Sequence, residues 1–287
     1  MSGRETMKLS LLAGVASLAL SAGAEAQTVC TPTFEDVRVG LTCTGDQGST
    51  PVTFDTGDFI VLDGNWSSTA TAIFEDIPYQ VFIHGDIDTS ASLASAVILT
   101  GGAGGSTYSF HNRGNLVSGS GTTVQVAGDY ELGDFLNNGD ITGDGIAVSL
   151  NGVTGDVVNN GSIRGSTGLR LGGPVGGSIL NFGDLTAGAF GLVVLGDVEG
   201  DVFNAGTIAS DTSLFGLGVQ LSGNIGGTFY NGGTISSNYF GVLIDSDSIA
   251  GDFENAGDII ADVAVASISA DSSVGGFRNS GTITGYT

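Results

Sequence analysis

From about residue 110 onward, apolar and polar positions alternate in short bursts, and the bursts recur. Aligned on one asparagine, eight copies fall at Asn112, Asn137, Asn159, Asn181, Asn204, Asn231, Asn255 and Asn279. Two residues earlier the side chain is always apolar, from Phe110 and Phe135 through Val157, Ile179 and Val202 to Phe229, Phe253 and Phe277. Four residues later it is always aliphatic, from Leu116 to Ile283. The position just before that aliphatic residue is always polar. Alternation with period two sends successive side chains to opposite faces of a strand.

A second phrase recurs in each period, as Gly145-Ile146-Ala147-Val148, Gly168-Leu169-Arg170-Leu171 or Gly218-Val219-Gln220-Leu221. Between the two phrases stands an aliphatic residue such as Val153, Val175, Val198, Ile225 or Ile249. The asparagines are 22 to 27 residues apart, a period of about 24, in the solenoid range. Three short strands per period, stacked at strand spacing, predict an all-β fold, a parallel β-helix with a coil period of about 24 residues. Eight coils span roughly 40 Å at that spacing. A propeller blade needs about 40 residues. The leucine-rich-repeat and nine-residue calcium-roll patterns are absent.

The asparagine shares strand parity with the apolar columns and is expected to point inward. A buried amide needs partners for its donors and its acceptor. Identical amides stacked coil on coil are expected to bond along the axis as a ladder. The glycine two residues after each asparagine is expected to relieve a corner of positive φ.

Composition narrows the remainder. The 287 residues carry 50 glycines, 4 prolines and a net charge of −23. So much glycine with so little proline suits short strands and tight turns. Arg4 and Lys8, an apolar run from Leu9 to Leu20 and Ala24-Glu25-Ala26 read as a signal peptide over residues 1–26, with Met7 as an alternative start. Without that segment the net charge is still −23 and no lysine remains, which disfavours nucleic acid and anionic lipid as partners. No later stretch predicts a transmembrane helix in the mature chain. Cys30 and Cys43, the only cysteines, read as a disulfide in an exported chain, worth about 3 kcal/mol in the chain-entropy model. Residues 27–78 are expected to form an N-terminal cap carrying it, and residues 79–287 the solenoid.

Candidate chemistry is sparse. His84 and His111 lie in no recognisable nucleophile or zinc motif and read as surface residues. Asp140, Asp184 and Asp258 share an outward column broken by serine and threonine, Asp245 and Asp247 form the densest acidic pair, and Arg164 and Arg170 are near in sequence. Solvated surface is the favoured reading of all of these. No catalytic residue, metal ligand or cofactor is assigned.

An export signal followed by an acidic, glycine-rich solenoid of Asn-x-Gly-(Thr/Ser/Asp)-Ile coils resembles the passenger region of Gram-negative autotransporters. The resemblance covers roughly residues 79–287. It implies an exported, cell-surface or extracellular passenger or stalk, reached through the periplasm, that is non-enzymatic and serves adhesion or surface interaction. It also implies partners among host or neighbouring-cell surface proteins or glycans, and an outer-membrane barrel in the full-length protein. The repeat is interrupted at Thr287, so the solenoid is expected to be truncated there. Two alternatives stay open: a polysaccharide lyase or hydrolase on the same scaffold, and a calcium-stabilised surface-layer protein.

Overall fold

A computed structural model describes residues 29–35, 38–44, 52–54, 59–67, 71–75, 80–91, 94–100, 106–127, 130–211, 215–245, 248–267 and 273–285. The expected signal segment, residues 1–26, lies outside them. The described residues form strands, bridges and turns, with no helix among them. The fold is a parallel β-solenoid, coil upon coil.

Each coil contributes one strand that ends on its asparagine, such as Val157–Asn159, Ile179–Asn181, Val202–Asn204 and Phe229–Asn231. These asparagine strands pair in parallel, Asn on Asn, along the whole repeat. A middle strand follows, such as Thr207–Ser210 or Thr234–Ser237, and then a closing strand, such as Leu217–Leu221 or Phe240–Ile244. In two coils the middle and closing strands fuse into one, Ser162–Leu171 and Asp184–Val194. The three-strand expectation therefore holds with a local variation. A fourth contact closes the circuit: single bridges stack Leu132, Val153, Val175, Val198, Ile225 and Ile249.

The interior follows the apolar columns. Phe110, Phe135, Phe229 and Phe253 are at most 1% exposed, and the aliphatic column from Leu116 to Ile259 is equally buried. Each such side chain contributes about 1.5–3 kcal/mol when fully buried. Rings stack where phenylalanines are neighbours, with Phe110 on Phe135 at 5.6 Å and Phe229 on Phe253 at 4.8 Å. In between, Val157, Ile179 and Val202 fill the column with aliphatic volume.

Parallel stacking reaches below residue 79. Phe59–Leu62 pairs in parallel with Gln80–Ile83, and Arg38–Thr44 pairs in parallel with Phe59–Leu62. Among the described residues only the first strand turns back: Val29–Glu35 runs antiparallel to Arg38–Thr44. The asparagine column thus continues downward as Ile83, Leu62 and Cys43, all without an amide.

The corner glycines answer to space rather than to φ. None of the eight glycines two residues after an asparagine has a left-handed backbone. A Cβ on Gly161 would instead overlap the Gly139 carbonyl oxygen, and one on Gly183 the Gly161 oxygen. The expected positive φ is therefore corrected: stacked coils approach too closely at this corner to admit a side chain.

Candidate functional site

The asparagines form one continuous hydrogen-bonded file. Asn112 Nδ2 donates to Asn137 Oδ1 at 2.8 Å. The same bond, at 2.7–2.8 Å, links Asn137 to Asn159, Asn159 to Asn181, Asn181 to Asn204, Asn204 to Asn231, Asn231 to Asn255 and Asn255 to Asn279. Every bond points the same way, from the earlier coil to the later. In most rungs the amide also donates to the carbonyl two residues on, as Asn181 does to Gly183 at 3.0 Å. Asn112 through Asn255 are at most 2% exposed. Their polarity is consumed by the fold, which leaves none of it for a ligand.

Many carboxylates are consumed in a similar way, on the outside. Asp134 Oδ1 accepts the Asp156 N–H at 2.9 Å, and Asp156 Oδ1 accepts the Ser178 N–H at 2.7 Å. The file continues as Ser178 Oγ accepting from Asp201 N–H, and Asp201 Oδ1 from Thr228 N–H. Asp86 and Asp197 do the same for Asn115 and Asn224. At these corners a side-chain oxygen replaces the carbonyl that a strand ladder would supply. Nothing in the sequence motif disclosed this role, because the partner is a backbone N–H one coil away.

The remaining candidates are dispersed. Asp140, Asp184 and Asp258 are exposed in one column, separated by Ser162, Thr207 and Thr234. Asp245 is exposed, and Asp247 lies outside the described residues. Arg164 pairs with Thr142 and Thr186, whereas Arg170 pairs with Ser149 and Val193, so the two occupy different columns. The register sets Cys30 opposite Cys43; their side chains lie outside the described set. His84 Nδ1 lies 2.7 Å from Asp63 Oδ1 on the surface. His111 is half-buried and meets Phe82 edge-on at 4.9 Å. Burial, then the charge of Arg113, lower its pKa below the usual histidine value, with Asp134 acting in the opposite sense. Among the described residues, no group of three His, Cys, Asp or Glu side chains could hold a metal ion. No described helix is long and apolar enough to cross a membrane.

What the structure does bring together is a groove. Where each middle strand bends into its closing strand, two adjoining hollows of about 480 and 450 Å³ meet at Asp211. The first extends from Asp144 past Arg164 and Thr186. The second extends past Ser237 and Asn238 to Asp262. At strand spacing the combined groove runs roughly 24 Å along the axis. Compared with models of protein families, with curated proteins and with solved structures, the chain finds no match in any of the three.

Proposed function

We infer that the chain is an exported β-helical rod of the passenger type, non-enzymatic, that presents its outer face to other surfaces. The observation that carries this reading is the use made of the repeated polar residues. The asparagines and corner aspartates bond coil to coil, so the repeat builds a stiff scaffold, and contact falls to the positions that break the repeat. The signal-like N-terminus supports the route, and the net charge of −23 favours a rod that repels its own copies.

Protease shaving of intact producing cells tests the placement. The reading expects the chain to be removed by external protease while a periplasmic marker stays intact. Protection of the chain in intact cells, with digestion only after the outer membrane is opened, would overturn it. The carboxylates along the groove keep a second reading in view, a polysaccharide lyase or hydrolase on the same scaffold. Release of reducing or unsaturated ends from a glycan, lost on neutralising Asp211 or Asp262, would favour that reading.

A further inference from the structure

We propose that the outer face of the asparagine strands docks an amphipathic helix of a partner protein, apolar along one side and flanked by arginines. The proposal deepens the surface-contact reading above and rests on it.

The column just before each asparagine points outward and changes residue at nearly every coil. Yet five successive coils fill it with apolar or aromatic side chains. Leu136, Val158, Leu180, Phe203 and Tyr230 stack in register, each partly exposed. The repeat itself does not require this, because the outward column three residues after the asparagine is polar in every coil. Phe203 stacks on Tyr230 at 5.2 Å. Phe182, 49% exposed, lies against Phe203 at 5.5 Å and widens the stripe. At strand spacing the five rungs span roughly 19 Å. Single exposed apolar residues are ordinary, whereas a contiguous apolar patch marks a contact surface.

Carboxylates border the stripe on both sides. Asp134, Asp156 and Asp201 stand two residues before a stripe position, on the same face, and each gives Oδ1 to a corner N–H. Beyond the asparagine, Asp140 and Asp184 open the next strand and are exposed. The chain itself displays what such a border receives. Further along the same outward column stand Glu254 and Arg278. The Arg278 guanidinium reaches Asp252 Oδ2 at 3.1 Å and Glu254 Oε1 at 3.2 Å. Asp252 occupies the border column of Asp134, Asp156 and Asp201, and Oδ2 is the oxygen that those three do not give to the corner.

Charge and spacing select the occupant. A second copy would set its own carboxylates and its net charge of −23 against this border. A partner carrying arginines beside apolar side chains complements it. A helix advances about 5.4 Å per turn, close to the rung spacing of about 4.8 Å, so each turn can lay an apolar side chain on a rung. An extended strand repeats on one face every roughly 6.8 Å and falls out of step.

The test uses the mature chain and three synthetic helical peptides. One has a leucine face flanked by arginines, one has glutamate in place of the arginines, and one has alanine in place of the leucines. Calorimetry at physiological salt reads binding, and sedimentation reads self-association. The leucine–arginine peptide is expected to bind at least about tenfold more tightly than either of the others. Leu180→Ser with Phe203→Ser should weaken it by about tenfold. Asp156→Asn with Asp201→Asn keeps an oxygen for each corner N–H and should weaken it by about as much, with the unfolding midpoint nearly unchanged. Asp245→Asn with Asp262→Asn removes the same charge away from the stripe and should retain binding. Equal binding of the alanine–arginine peptide, or equal weakening by the Asp245 and Asp262 pair, would reveal diffuse attraction to an acidic chain and overturn the site. Absence of binding overturns it too, as does self-association of the chain that Leu180→Ser with Phe203→Ser abolishes. Each of these outcomes leaves the rod's placement, read by protease shaving, standing.

Discussion

A buried amide and a surface carboxylate perform comparable work in this chain, and substitutions separate their roles. Asn181→Ala leaves Asn159 Nδ2 with only its long 3.4 Å bond to the Asp184 carbonyl and Asn204 Oδ1 without its Asn181 donor. The unsatisfied groups should cost about 1–3 kcal/mol, read by denaturant unfolding. Asn181→Asp can accept from Asn159 but, ionised, has no proton for Asn204 or Gly183. Its carboxyl is then held neutral by burial, with a raised folded-state pKa. Stability relative to the parent should therefore be highest at acid pH and fall as pH rises through the ordinary aspartate range. At pH 7 this variant should be less stable than the alanine variant. For Asp156 the opposite contrast is expected. Asp156→Asn keeps an oxygen for the Ser178 N–H and should be nearly neutral, whereas Asp156→Ala should lose about 1 kcal/mol. Equal losses in both would show that charge, rather than the hydrogen bond, is what the corner needs.

At the scale of the element, the corner glycines set how closely coils approach. Gly161→Ala places a methyl against the Gly139 carbonyl, a backbone group that cannot swing aside. An overpacking cost of about 1–3 kcal/mol or more is expected in thermal unfolding; a stabilised variant would show that the coils yield there. The same column explains what was legible beforehand. Phe135, Asn137 and Ile141 advertised their coil because all three marker positions were filled. The stacking below residue 79 escaped notice because Leu62, like Ile83 one coil above it, stands where the asparagine would be. Gly85 and Gly64, two residues further on, with Gly85 packed on the Gly64 carbonyl as the later corner glycines pack, were the signal that could have found it. The groove was not legible, since Asp144, Arg164, Asp211 and Asp262 come together only when the coils stack.

At the scale of the whole molecule, the net charge of −23 is carried on a chain with few cations. Among the described residues the arginine–carboxylate pairs are confined to one end of the rod, where Arg278 meets Asp252 and Glu254, and the His84–Asp63 contact lies near the other. The central coils carry Arg113, Arg164 and Arg170 but no ion pair among the described residues, and their carboxylates outnumber these cations. Sodium chloride should raise the unfolding midpoint by screening that repulsion. Each kcal/mol so recovered moves the midpoint by about 2–4 °C for a chain of this size. A midpoint that falls with added salt would mean that attractive pairs dominate after all.

The one-way file of amides has a consequence for how such a chain changes length over generations. Every rung sees the same neighbours above and below, so excising residues 160–181 brings Asn204 onto Asn159 with no alteration in the kind of contact made. Excising half that number would put an asparagine eleven positions out of step, against a closing-strand residue such as Val148 or Leu192. Gains and losses are in effect quantised: the lineage can lengthen or shorten its rod by whole coils, or grow loops at the bend, and selection closes the intermediate sizes.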